Sequence, residues 1–506
     1  MIHRAHSVRR LLAATVAGGL LVGAAAGCTS EPDRPSLRSA GAADLRTGAT
    51  ATSTAVSITP VTPDGLLAGP GVTDGAISLG VLADPARDRG FTDGVRLWQR
   101  SVNTTGGLCG RTIELRANGA DGIPDDPAAA YGAVGTSVLG LLTPPFGTAA
   151  ATASTGSTVA SGVGAPTDTS TVASSAGAPT GSPTVSTSGS DISTSGSADG
   201  SSAGAPSGSP AVSTDLGPNG AGAANDGDAI LAASITADQI PAVTPTGTSA
   251  QLGPTRPIVA GATADILAIN GLQYLLRTGT LHTGDVVSVL SDGSATAQNA
   301  LRGARWWAQD SGLDLDLRDP GSDPRSYPSA GVVLAPVGSA AVSTLITRDP
   351  GISVLTLADG FDPGSWPADA VTAAAGRLYV ATPAPAYGSD YPAAVAVSSM
   401  AAAGGSTDPG VRTLDGYATG TTWGRLIRQA CADRSLTRAG VWTAAGTVGP
   451  APATSLFGAS DPGLVVQSAL PATRVSSVSV ADAAAPAGLR SLIALESAPG
   501  IGDYRP

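Results

Sequence analysis

Residues able to make or break bonds are scarce in this chain. Two of its three histidines, His3 and His6, lie in the first ten residues, which leaves His282 in a Gly-Thr-Leu-His-Thr-Gly stretch. All 28 basic residues are arginine, so no Schiff-base lysine, lysine general base or P-loop lysine is available. Gly200-Ser201-Ser202-Ala203-Gly204 matches the nucleophile-elbow pattern. It stands in a low-complexity tract without the strand and helix that such a turn needs. One histidine and three cysteines fall short of the usual zinc ligand sets. The 39 acidic residues show no spacing that marks a hydrolytic carboxylate pair. The expectation is a chain that is not an enzyme and needs no metal or cofactor. A formal net charge of −11 speaks against nucleic-acid binding, which requires basic surface opposite phosphates.

The cysteines carry more information. Arg4, Arg9 and Arg10 precede an apolar run, Leu11 to Ala26, that is short for a bilayer span and ends in small residues. The site Ala25-Ala26-Gly27-Cys28 resembles a bacterial lipobox, in which the cysteine takes lipid and becomes the mature N-terminus. Residues 1–27 are therefore expected to be a lipoprotein signal peptide, with the mature chain on the outer face of the cell membrane, anchored through lipid on Cys28. The alternative is an ordinary secretory signal with an incidental cysteine. Cys109 and Cys431 remain, and in an oxidising exterior they are expected to pair; two buried free thiols are the alternative.

Residues 28–72, rich in Ser, Thr, Ala, Gly and Pro, read as a flexible tether. Beyond them, segments alternate in the manner of an α/β protein with parallel sheets. Ile77 to Leu82 reads as a buried strand, Phe91, Val95, Trp98 and Val102 recur at helical spacing, and Ile113 and Leu115 alternate as in a strand. Residues 150–225 are nearly all Ser, Thr, Gly, Ala and Pro, with Ser174–Pro179 repeated as Ser201–Pro206. This insert buries too little apolar area to offset its ordering entropy, and disorder is expected. Helices are expected over Ile266–Arg277, Ala300–Asp310 and Tyr417–Ala432, and strands over Val286–Leu290, Val332–Ala335 and Val354–Leu357. The run from Leu464 onward, with Val465, Val466, Val475, Val478 and Val480, reads as β-rich.

The order of segments resembles the type 1 periplasmic-binding fold of branched-chain amino-acid (leucine-binding-like) ABC-transporter proteins. The resemblance rests on Asn103-Thr104-Thr105-Gly106-Gly107-Leu108-Cys109-Gly110-Arg111-Thr112-Ile113-Glu114-Leu115 after the first helix, and on the helix start Asp125-Asp126-Pro127-Ala128-Ala129-Ala130. Ile240–Pro245, Gly284–Asp292 and Leu357-Ala358-Asp359-Gly360 follow in family order, and Leu436–Val441 resembles the tail of a late first-lobe helix. The resemblance implies two α/β lobes joined by three crossings. Lobe 1 would take 73–149, 226–260 and 383–450, lobe 2 would take 261–382, and 451–506 would belong mainly to lobe 2. It implies an exported lipoprotein that captures an amino acid or similar small polar solute for an ABC permease and ATPase. A sensory or structural lipoprotein that reuses the fold is the alternative. Thr246 and Thr248 match the family's ligand-holding positions, Thr143 and Thr148 follow a first-lobe strand, and Asp359 from the facing lobe is expected to take a ligand ammonium. Cys109 and Cys431 would share lobe 1, which favours their pairing.

Overall fold

The computed structural model describes residues 61–120, 122–145, 226–327, 331–405 and 409–506. Residues 1–27, read as a signal peptide, and Cys28, Thr148 and the 150–225 insert lie outside the described residues. Lobe 1 opens with β1 (Leu67–Ala68), β2 (Ala76–Val81), α1 (Arg89–Thr104), β3 (Thr112–Ala117), α2 (Pro127–Val134) and β4 (Gly140–Leu142). It continues with α3 (Asp226–Ala237), β5 (Ala242–Thr244) and β6 (Ile258–Val259). The chain then enters lobe 2: α4 (Ala264–Arg277), β7 (Val286–Leu290), α5 (Ala295–Ser311), β8 (Asp314–Arg318), β9 (Val332–Ala335), α6 (Ser339–Arg348), β10 (Ser353–Leu357), α7 (Ala368–Ala374) and β11 (Leu378–Thr382). It returns to lobe 1 with α8 (Pro392–Ala403), α9 (Thr413–Ala432), β12 (Ser435–Leu436), α10 (Arg438–Thr447) and α11 (Pro462–Ser468). Strands β13 (Ser476–Ala481) and β14 (Leu489–Glu496) complete lobe 2.

Each lobe is a sheet covered by helices. The five-stranded sheet runs β3-β2-β4-β5-β6, all parallel, and the seven-stranded sheet runs β14-β13-β11-β10-β9-β7-β8. Pairing is parallel from β8 to β11 and antiparallel across β13 and β14. The central strands are apolar runs buried on both faces, as parallel sheets between helix layers require. Strand order reverses beside β2 in one lobe and beside β7 in the other. Such switch points open crevices at the carboxyl ends of the strands. The crossings between lobes fall after β6, after β11 and before β13.

In lobe 1, helices α1 and α9 lie side by side and run the same way, with backbones close enough that glycine is required. A Cβ at Gly94 would collide with the Thr413 carbonyl oxygen, and one at Gly416 would collide with that of Phe91. The N-termini of both helices are thereby brought together. The Cys109–Cys431 disulfide, with Cα atoms 6.5 Å apart, ties the turn after α1 to the last turn of α9. The expected pairing is thus present.

Three expectations are corrected. Structure begins inside the stretch read as tether: from Val61 the chain is described, β1 pairs with β12, and Asp64 forms an ion pair of 3.0 Å with Arg111. Valine-rich Leu464–Val466 lies in α11, because Asp461 caps the helix by accepting from the Gly463 N–H at 2.9 Å, with Pro462 at the first position; the strand starts only at Ser476. Leu436–Val441 is a helix start, in which Thr437 Oγ1 accepts from the Gly440 N–H at 2.9 Å. Residues 451–468 pack on lobe 1, with Val465 of α11 buried against Val259 of β6.

Candidate functional site

At the carboxyl end of β2, Asp84 folds the chain into a turn by accepting from the Ala86 and Arg87 N–H groups, both at 2.9 Å. The turn delivers Asp88 to the start of α1, fully buried. Beside it, Arg412 occupies the cap position of α9. A cation is disfavoured there, because the N-terminal end of a helix carries partial positive charge. Burial disfavours it further. Acids offset both penalties. Arg412 Nη1 lies 3.2 Å from Asp88 Oδ1 in lobe 1 and 2.8 Å from Asp359 Oδ1 in lobe 2, and Nε lies 3.9 Å from Asp415 Oδ2. Burial opposes the Arg412 charge, but Asp359, Asp88 and Asp415 more than offset it and raise its pKa. Burial pushes Asp415 up to about 7, against the pull of Arg412 and of the Ala384 N–H from the second crossing.

The cluster therefore joins both lobes and a crossing segment. Arg412 Nε and Nη2 are buried without a hydrogen-bond partner among the described residues. Buried guanidinium N–H groups left in that condition call for an acceptor from elsewhere.

The residues singled out from sequence divide clearly. Thr143 follows β4 and Thr248 follows β5, the strand paired with it. Both are buried, and neither hydroxyl has a partner among the described residues. Thr246 is buried too, but its hydroxyl donates to the Ala262 carbonyl at 2.5 Å and so fastens the first crossing. Asp359 lies in the turn after β10 and faces Arg412, so its charge is countered from within the chain. Thr148 lies outside the described residues.

Another residue stands beside Thr248. Asn299 of α5 accepts at Oδ1 from the Ser249 N–H at 3.3 Å and the Asp265 N–H at 3.1 Å, while its Nδ2 is buried and unpartnered among the described residues. Sequence reasoning missed Asp88, Arg412, Asp415 and Asn299. Only Arg412 offered a legible signal: an arginine immediately before a long helix, at its electrostatically wrong end.

This arrangement defines a two-lobed binding fold with polar groups from both lobes at the strand ends. The fold is the one seen in solved ABC-transporter substrate-binding proteins. No protein-family model and no curated protein matches the sequence. Among solved structures, the chain resembles a fatty acid ABC-transporter substrate-binding protein from Thermomonospora curvata, at 20% identity and a TM-score of 0.62, over 88% of this chain and 98% of that one. It resembles a branched-chain amino-acid ABC-transporter protein from Thermus thermophilus with bound valine, at 11% identity and a TM-score of 0.52, over 85% and 98%. It also resembles a solute-binding protein from R. palustris in complex with benzoate, at 13% identity and a TM-score of 0.51, over 85% and 99%. At these identities the likeness is one of fold.

Proposed function

We propose that the chain is the extracytoplasmic solute-binding component of an ABC importer, and that its ligand is a small solute bearing a carboxylate. The observation that carries this reading is Arg412, buried where the two lobes meet, with Nε and Nη2 lacking a hydrogen-bond partner among the described residues. A carboxylate is the natural bidentate acceptor for such a fork. Asp88, Asp359 and Asp415 surround the one guanidinium, so an ammonium on the same solute also finds partners, and a zwitterionic amino acid suits both. The unpartnered hydroxyls of Thr143 and Thr248 add further contacts. Fatty acids, valine and benzoate, named with the similar structures, share a carboxyl group.

Lipid on Cys28 would hold the protein to the outer face of the membrane, beside the permease and ATPase it serves. Capture and delivery, with no bond made or broken, need only hinge closure over the solute.

One observation favours the alternative, a sensory or structural lipoprotein: the Arg412–Asp359 ion pair joins the lobes directly, through the chain's own side chains. A thermal-shift screen of the purified protein against amino acids and aromatic and aliphatic acids separates the two readings. A true ligand at about 100 times its Kd adds about 2.7 kcal/mol of stability. A flat response across the whole panel would favour the sensory or structural reading.

A further inference from the structure

A second feature of lobe 1 lies apart from the Arg412 cluster. A cavity of about 240 Å³ sits between α8, α9 and the 449–460 loop. Its walls are largely carbon, with Val397 and Met400 from α8, Ala418 from α9, and Leu456 and Phe457 from the loop. Thr421 and Thr422 also line it, but their hydroxyls already donate to the Tyr417 and Ala418 carbonyls, at 3.0 and 3.1 Å. Alanines on α8 keep the space open, since small side chains there cannot reach across to α9.

The loop is fastened in place. Tyr391 Oη lies 2.9 Å from the Ala453 carbonyl oxygen and 3.2 Å from that of Ser455, and the Ala451 N–H donates to the Ser460 carbonyl at 2.8 Å. The walls are thus held apart by bonds that do not depend on any occupant.

One charged residue lines this cavity. Arg425 donates from Nη2 to the Gly449 carbonyl at 2.6 Å and has no ion-pair partner among the described residues. A guanidinium has five N–H donors, so this single bond leaves capacity for an anion. An apolar cavity of about 150 Å³ stays dry and takes benzene; this one has room for a longer hydrocarbon.

The geometry points to a second binding site, outside the cleft between the lobes, for a small apolar monocarboxylate, with its hydrocarbon in the cavity and its carboxylate on Arg425. This site does not depend on the cleft reading. The cleft would present charged and hydroxyl groups to a polar solute, whereas here one cation stands at a largely carbon-lined space.

Octanoate is the probe, titrated by calorimetry into the purified protein and into an Arg412→Gln variant. Saturable binding is expected in both. Ala396→Trp places an indole from the exposed face of α8 into the cavity and should abolish that binding, with unchanged circular dichroism and melting point as the folding control. Arg425→Gln should weaken octanoate about tenfold or more, the usual scale for losing a charge-assisted hydrogen bond, while leaving octan-1-ol unaffected. Three results would overturn the proposal: no saturable octanoate binding, binding that survives Ala396→Trp, or binding lost in Arg412→Gln. The last would assign octanoate to the cleft and leave that reading standing.

Discussion

Arg412 is held where neither helix electrostatics nor solvation favours it, and acids from two lobes keep it charged. The neighbouring Asp415 makes a testable consequence. Its pKa is raised from 3.8 to about 7 in the folded protein, chiefly by burial. A group raised in this way contributes stability that is complete below its unfolded value and is lost as pH rises through the folded one. The melting point should therefore fall between about pH 4 and about pH 7, and Asp415→Asn should flatten that fall. A melting point that drops equally in both proteins would place the pH sensitivity elsewhere. At this scale the sequence was least legible. Thr143 and Thr248 could be proposed because they follow strands that the apolar pattern reveals. Asp88 and Arg412, 324 positions apart, meet only because α1 and α9 pack together, and no local pattern records such a meeting.

Elements were more legible, because burial imposes periodicity. Phe91, Val95 and Trp98 marked α1, and all three are buried in the lobe 1 core. Leu267, Leu272 and Leu275 marked α4 in the same way. The errors came where capping outweighed composition. Leu464-Val465-Val466 looks like a strand, yet Asp461 and Pro462 start a helix there. The short strand β1 was hidden in a stretch of turn-forming residues, because its two residues gain their place by pairing with β12 rather than by any pattern of their own. Elements pack very closely at the glycines between α1 and α9. Gly94→Ala would push a methyl group into the Thr413 carbonyl, and overpacking of this kind costs about 1–3 kcal/mol. Denaturant titration should show that loss, together with weaker binding of any cleft ligand, since the Asp88–Arg412 contact depends on this crossing. A Gly94→Ala protein as stable as the parent would mean that the two helices can separate without consequence. The Cys109–Cys431 bond fastens the distal end of the same pair, so α1 and α9 are held together at both ends.

The whole molecule was legible in its segment order. Alternating strand and helix patterns, the Asn103–Leu115 motif and the returning chain after Thr382 are realised as two lobes, one on a parallel sheet and one on a mostly parallel sheet, with three crossings. What the order did not reveal is how the lobes are joined across the gap. Asp359 reaches Arg412 directly, and Thr246 and Ser460 secure the first crossing through the Ala262 and Ala260 carbonyls. On the proposed reading, an entering solute competes for, or shares, the interlobe ion pair. If Arg412 receives the carboxylate of that solute, the guanidinium should carry much of the affinity. Calorimetric titration of a solute that raises the melting point, into the parent and into Arg412→Gln, measures this. Removing one partner of a buried, hydrogen-bonded charge pair costs about 2–5 kcal/mol, so affinity should fall by roughly thirtyfold or more. Equal affinity in a folded Arg412→Gln protein would show that the carboxylate is held elsewhere.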